Sequence, residues 1–360
     1  MRRKTRTVHV GNITIGGDAP VSIQSMTNRP AGDFGGTIEQ IRALAAAGCE
    51  IVRIAVPDIE TAVVFAKAKQ AGITTPLVAD IHFDYRIALE ALRQGADKIR
   101  INPGNIGSRD RVQAVADACK SAGVPIRIGV NGGSLEKTLL EKYGGPTANA
   151  LAESALIQAE MLEDMGFHDI VISIKSSRVD TMIQACRIVA AQSDYPLHLG
   201  VTEAGTQYSG IIKNAMGIGA LLCDGIGDTI RVTLTADPAA EVTAAKEILA
   251  AAGVRKNGIT IISCPTCGRT KIDLISIAEA YKAAVSEIDT GDKTITAAIM
   301  GCAVNGPGEA READFGVAGG DGCAILFRHG KQVCRIDEDK LLEVLMEETY
   351  RMLEDTQDHT

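Results

Sequence analysis

The stretch "SCPTCGRT" (263–270) carries Cys264 and Cys267 at C-x-x-C spacing, which brings two thiolates close enough to serve one metal centre or to act as a redox pair. A third thiol, Cys302, follows 35 positions after Cys267 in "GCAVNGPGEA", and Glu309 lies in the same Gly- and Pro-rich loop. Thiolates gathered around such a loop suit iron–sulfur ligation. Two rivals remain open on spacing alone. A structural zinc site wants four ligands, and Cys323 or Cys334 would have to complete it. A thioredoxin-like dithiol wants its pair at a helix start, and a helical pattern begins near Ile272. Of the nine cysteines, Cys49, Cys119, Cys186 and Cys223 fall on other elements, where core packing is expected.

A second group of reactive side chains recurs at the ends of apolar runs. Arg53 closes "EIVRIAV", and Asp80 and His82 close "PLVADIH". Arg100 and Asn102 lie in "KIRINPG", Arg127 and Asn131 in "PIRIGVN", and Lys175 ends "DIVISIK". Glu203 ends "LHLGVTE", and Arg231 and Thr233 lie in "DTIRVTL". Five cations at five such ends would need anionic charge to balance them once desolvated, and arginine forks match phosphate oxygens. Any one of them could instead pair with a carboxylate of the fold. Lys175 also admits a Schiff-base role, and Glu203 a role as an acid.

The elements that must hold these residues alternate regularly. With "VSIQ" (21–24), the seven runs above make eight strand cores between residues 20 and 234, separated by amphipathic helical patterns. Gly48, Gly72, Gly95, Gly123, Gly166 and Gly253 stand where helices end. Eight β-α units in this length predict a (β/α)8 TIM-type barrel over residues 1–255, with the reactive residues around the mouth at the strands' C-terminal ends. An open doubly wound sheet is the alternative, but "QSMTNRP" after the first strand is no glycine-rich nucleotide turn. Residues 1–20 read as a hairpin ahead of the barrel. From 256 to 360 the pattern changes to a smaller α+β domain: a strand into the cysteines, a helix, a strand into the "GPGEA" loop, a hairpin turning at His329–Gly330, and a closing helix with Asp337 as its N-cap. The segment "GVRKNG" (253–258) is a candidate hinge.

Composition narrows the function classes. The net charge is −8 and there is no tryptophan, so neither a polyanion-binding surface nor a base-stacking platform is expected. The basic start "MRRKTRT" is not followed by an apolar segment, and no run is long enough to span a bilayer; a cytoplasmic protein, with no nucleic-acid or membrane partner, is the expectation.

Taken together, "SMTN", "VADIHF", "IRINPGN", "RIGVN", "SIKSS", "VTEAG", "SCPTCGRT" and "GCAVNGPGEA" resemble the bacterial two-domain 4-hydroxy-3-methylbut-2-enyl diphosphate synthases of the non-mevalonate isoprenoid pathway, over essentially the whole chain. The resemblance implies a 4Fe–4S cluster on Cys264, Cys267, Cys302 and Glu309. It implies 2-C-methyl-D-erythritol 2,4-cyclodiphosphate as substrate, with its phosphates on Arg53, Arg100, Arg127, Lys175 and Arg231. Polar contacts are implied at His82, Asn102, Asn131 and Thr233, with Asp80 nearby. It further implies two-electron reductive dehydration with flavodoxin or ferredoxin as donor, and a homodimer in which one chain's cluster domain caps its partner's barrel. The alternative from another reaction class is a phosphosugar lyase or aldolase using Lys175, with a zinc-stapled tail. An iron-sensing regulator is a third class, but no basic helix-turn-helix or basic tail accompanies the cysteines.

Overall fold

The computed structural model describes residues 2–255, 258–286, 288–291, 293–302 and 312–354. The chain divides into two compact units, Met1–Arg255 and Lys256–Thr360. In the first, the N-terminal hairpin pairs β1 (Val8–Val10) with β2 (Ile13–Ile15). Eight parallel strands follow: β3 (Ser22–Met26), β4 (Ile51–Ala55), β5 (Leu77–Asp80), β6 (Lys98–Ile101), β7 (Ile126–Asn131), β8 (Ile170–Lys175), β9 (His198–Leu199) and β10 (Thr229–Ile230). Strand β10 bonds to both β9 and β3, and a single bridge, Ile172 to Leu197, joins β8 to the approach of β9. The sheet is thereby a nearly closed barrel, as the alternation of elements predicts.

The helices around it are α1 (Phe34–Ala46), α2 (Val64–Gln70), α3 (Tyr85–Arg93), α4 (Pro103–Ile106), α5 (Arg109–Ala122), α6 (Lys137–Tyr143), α7 (Ala148–Asp164), α8 (Val179–Gln192), α9 (Gln207–Cys223) and α10 (Pro238–Ala251). The six glycines expected at helix ends all have positive φ, where a side chain would be strained. The short α4 and α6 were not anticipated from the pattern. Strands β9 and β10 are shorter than their apolar runs. Beyond Leu199 and Ile230 the ladder gives way to single bonds, such as Thr202 N–H to the Ser176 carbonyl at 3.3 Å, because the chain opens into mouth loops. Cys49, Cys119 and Cys186 are buried as expected, but Cys223 is exposed at the end of α9.

The two-residue period of the strands sorts their side chains. Ile23, Val52, Ile99, Ile128, Ile172 and Leu199 point out and pack with the helices in one large core. The alternate residues point into the barrel. At the bottom they are apolar: Ile51 and Val78 close over Val10 and Ile15 of the hairpin. Above that floor most inward residues are polar or charged, with Val171 and Gly129 among the exceptions.

The basic N-terminus is a strap along the weakly paired side of the barrel. Arg3 donates to the carbonyls of Ala190 (3.0 Å), Ser193 (3.2 Å) and Tyr195, all on the approach to β9. Arg6 pairs with Asp194 at 2.6 Å and with Glu163, and lies over the Tyr195 ring. Arg2 donates to Asp228 at 2.7 Å, whose other oxygen accepts from Leu197 N–H at 2.8 Å.

The second unit is a five-stranded sheet in the order β11 (Ile259–Ser263), β12 (Ile295–Met300), β13 (Phe315–Gly320), β14 (Cys323–Arg328), β15 (Lys331–Asp337). The first three strands run parallel and the last two antiparallel. Helices α11 (Leu274–Val285) and α12 (Leu341–Glu354) are joined where the Tyr281 hydroxyl hydrogen-bonds with Thr349 at 2.6 Å. Strand β13 was not anticipated: its three glycines hide the alternation. The hairpin turns at His329–Gly330, both at positive φ. Asp337 makes no side-chain cap; it opens a short 3-10 turn, Glu338–Lys340, before α12. The hinge proposed at 253–258 includes Lys256 and Asn257, which lie outside the described residues. No described helix is long and apolar enough to cross a membrane.

Replacing Arg3 by alanine would leave part-buried carbonyls on the β9 approach without their donor. We expect a loss of about 1–3 kcal/mol in urea or thermal unfolding; unchanged stability would show that the strap does not hold the seam.

Candidate functional site

The alternation of the strands aims Arg53, Asp80, Arg100, Arg127 and Lys175 into the barrel, each no more than 9% exposed, and Arg231 joins them with 11% of its side chain exposed. Two carboxylates serve this group. Asp80 lies 3.2 Å from Arg100 Nη1 and 3.8 Å from Arg53 Nε. Burial alone would raise the Asp80 carboxyl, but Arg53, Arg100 and Arg127 overcome it and hold it at about 2. Glu241, from the first turn of α10, takes Arg231 in a fork at 3.3 and 3.4 Å, and also accepts from Ser25 and the Leu234 N–H. The ion-pair reading of these cations is therefore half right. It accounts for Arg53, Arg100 and Arg231. Among the described residues Arg127 makes no ion pair with a carboxylate, only a bond from Nη1 to Ser173 Oγ at 3.4 Å, and Lys175 has no hydrogen-bond partner. Burial brings Arg53 down to about 10, which leaves it charged at neutral pH. Burial followed by the surrounding guanidiniums lowers the Lys175 ammonium well below its usual value.

The polar residues divide. Asn102 is buried and occupied: its Oδ1 caps α4 through Gly104 N–H at 3.1 Å, and its Nδ2 donates to Ser134 at 3.0 Å. Thr233 Oγ1 donates to the Val201 carbonyl. Asn131 is half-buried at the end of β7. His82 is exposed in the loop after β5, its Nε2 4.0 Å from Asp80. Glu203 is exposed after β9 at φ +53°, an unusual backbone for a non-glycine residue, and its carboxylate has no partner among the described residues.

Several residues escaped the sequence reading. Met26 puts its sulfur 3.1 Å from Arg53 Nε and 3.7 Å from Arg231 Nη1. Glu241 sits on a helix, outside any strand-end search. Gln24, Lys98, His198 and Thr229 are inward and buried. The signal for them was present, because Lys98 and Thr229 stand two residues before Arg100 and Arg231 and so share their face. Two glycines make room for the cations. A Cβ on Gly129 would lie 2.4 Å from Arg100 Nε, and one on Gly200 would lie 2.9 Å from Lys175 Nζ and 2.6 Å from the Arg231 carbonyl.

In the second unit, Cys264 follows β11 and Cys302 follows β12, two parallel strands in register from Ile259↔Ile295 to Ser263↔Ile299. The two thiols thus leave the same end of the sheet. Gly301 N–H donates to Cys264 Sγ at 3.2 Å, and Lys271 N–H bonds the Gly301 carbonyl at 2.9 Å. Cys267 is exposed in a turn closed by Thr270, and the backbone N–H of Arg269 lowers its thiol pKa. Glu309 lies outside the described residues. Among the described residues, no three His, Cys, Asp or Glu side chains gather as they would around one metal ion. A multi-iron cluster spreads its ligands over several irons, and three free thiols at one sheet end with an N–H already aimed at sulfur fit that group. Cys334 does not join them: it lies mid-strand in β15, opposite Leu326.

Gly129→Ala would push the Arg100 guanidinium off its place with the barrel intact. We expect inorganic diphosphate, titrated calorimetrically, to bind about tenfold more weakly, equivalent to ~1.4 kcal/mol; undiminished affinity would remove Arg100 from the anion site.

Comparison with known proteins places this geometry. Residues 5–246 match the family described as the GcpE TIM-barrel domain, and residues 260–351 match the GcpE protein C-terminal domain. A relative from Clostridium perfringens, called 4-hydroxy-3-methylbut-2-en-1-yl diphosphate synthase (flavodoxin), is 57% identical over 96% of this chain and 98% of its own. Relatives with the same name from Caldanaerobacter subterraneus and Geobacter sulfurreducens are each 53% identical, over 99% and 98% of this chain and 99% of theirs. Among solved structures, dihydropteroate synthase from Stenotrophomonas maltophilia is similar in fold, with a TM-score of 0.51 at 14% identity over 70% of this chain and all of that one. The likeness to relatives covers both units nearly end to end, and the chain belongs to the GcpE family, the 4-hydroxy-3-methylbut-2-en-1-yl diphosphate synthases.

Proposed function

We propose that the strand-end cations of the barrel bind the two phosphates of 2-C-methyl-D-erythritol 2,4-cyclodiphosphate, and that the chain converts it to 4-hydroxy-3-methylbut-2-enyl diphosphate. The observation that supports this reading is the surplus of buried cations over carboxylates, which calls for an anion with more than one charged centre. Arg53, Arg100, Arg127, Lys175 and Arg231 hold the phosphates. Asp80 and Glu241 orient three of those side chains. His82, Asn131 and Thr233 are contacts at the rim, and Asn102 shapes the loop that carries them. Lys175 is a phosphate ligand here; the relatives' shared synthase name leaves the lyase and zinc-tail alternative without support.

A 4Fe–4S cluster on Cys264, Cys267, Cys302 and Glu309 supplies, when bound, two electrons delivered singly by flavodoxin, with ferredoxin as the other candidate donor. The remaining chemistry falls to side chains. The ring C–O bond breaks with its oxygen staying on phosphorus, so a diester-like phosphate becomes a terminal one and gains charge. The cation surplus stabilises that developing charge. Two electrons enter, the carbon–carbon double bond forms, and the hydroxyl leaves as water with a proton from Glu203. The strained backbone of Glu203 at the barrel mouth motivates that assignment. We place the enzyme in the cytoplasm as a homodimer in which the cluster domain of one chain caps the barrel of its partner, excluding water from the reaction.

The deciding experiment is iron and acid-labile sulfide analysis of anaerobically purified protein, followed by turnover of the cyclic diphosphate with reduced flavodoxin. About four irons and four sulfides per chain are expected. Glu309→Ala should lose iron and nearly all turnover; an unchanged variant would sink the ligand set. Glu203→Gln should keep its iron and lose about 100-fold or more in kcat, whereas near-normal turnover would strike Glu203 from the mechanism.

A further inference from the structure

Below the phosphate-facing cations, and above the apolar floor, lies a polar layer of which only Arg127 is shared with the phosphate site. It is made by Ser22 and Gln24 of β3, Lys98 of β6, Arg127 of β7, His198 of β9 and Thr229 of β10, each no more than 2% exposed. The ladder sets Thr229 beside both His198 and Ser22. Among the described residues, Ser22 Oγ, both Gln24 side-chain atoms, Lys98 Nζ, both His198 ring nitrogens and Thr229 Oγ1 have no hydrogen-bond partner. Arg127 Nε and Nη2 share that condition. Buried polar groups are almost always satisfied, so groups that face one space without reaching each other call for a species between them.

Charge decides which species. Lys98 and Arg127 are both basic, and burial followed by Arg127 and Arg53 lowers the Lys98 ammonium well below its usual value, so its charge needs an anion beside it. His198 is likewise surrounded by Arg127, Lys175, Lys98 and Arg53, which with burial keep it neutral. All six side chains can donate a hydrogen bond, and none is a carboxylate. Water would satisfy the donors but would supply no counter-charge to Arg127 or to a protonated Lys98, whose burial as unpaired cations is costly. The layer is closed beneath by Ile51, Val78, Val10 and Ile15.

We propose that this inner layer binds one small monovalent inorganic anion, of halide size, held by Lys98 and Arg127 and bonded by the surrounding hydroxyl, amide and imidazole donors. The anion keeps Lys98 charged and gives the inner edge of Arg127 a partner, leaving the outer cations for substrate. It lies inward of the phosphate site, with Arg127 between the two, and does not depend on the cluster or on the reaction proposed above.

Crystals of the full-length protein soaked in sodium bromide, with inorganic diphosphate filling the upper cations, test this by anomalous diffraction. The expected result is a bromide peak within hydrogen-bond distance of Lys98 Nζ and Arg127, present with and without diphosphate. A peak that diphosphate displaces, or only waters in the layer, overturns the proposal. In solution, chloride should raise the Tm by several degrees over gluconate at equal ionic strength, and Lys98→Met should lose that response. An equal response in both proteins would overturn it too, and if the variant fails to fold, the anomalous map of the native protein decides alone.

Discussion

Like charges buried together are the constraint on which the barrel is organised. Arg53, Lys98, Arg100, Arg127, Lys175 and Arg231 share the interior, and among the described residues the carboxylates paired with them are Asp80 and Glu241. Each cation loses hydration on folding and repels the others, a cost that in the absence of bound anions must be met by the rest of the domain. Stability is thus given up where the site is built, and binding an anion recovers it. A pocket so arranged is organised before substrate arrives, and needs little rearrangement to favour charge that appears during bond cleavage.

The remainder of the domain can be understood as the support for that interior. Outward-facing Ile, Val and Leu on every strand join the helices in one continuous core, so the polar lining does not depend on itself for cohesion. The N-terminal hairpin closes the floor, its Val10 and Ile15 meeting Ile51 and Val78 of the barrel. The arginine strap ties down the side where β8 and β9 share one bridge. Gly129 in β7 and Gly200 just after β9 occupy positions that long cationic side chains must lie across. Of the two carboxylates, Asp80 comes from a strand and Glu241 from a helix, so the electrostatics of the mouth depend on a helix docking correctly against the sheet.

The second unit separates ligand supply from scaffold. Parallel strands β11 and β12 bring Cys264 and Cys302 to one sheet end although 38 positions separate them in the chain, and the turn after β11 adds Cys267. Backbone amides already engage the region, with Gly301 N–H on Cys264 and Arg269 N–H on Cys267. Such donors stabilise thiolate over thiol, the form a metal centre binds.

What the sequence determines by itself is what period and chemistry carry. The two-residue alternation of eight strands and the helix-ending glycines define the barrel and its inward cations, because these are local patterns repeated often enough to be unambiguous, whereas the thiol spacing, which occurs once, leaves zinc and dithiol readings open until the family resemblance is added. Tertiary structure decides the pairings. That Arg231 is held by Glu241 on α10, that Asn102 is consumed in capping α4, and that Cys223 is exposed while Cys49 is buried follow from which helix meets which strand. The shortness of β9 and β10 and the strap over their approach have the same origin, since hydrogen bonds across a closing sheet join residues nearly 200 positions apart, and no local pattern encodes such a distance.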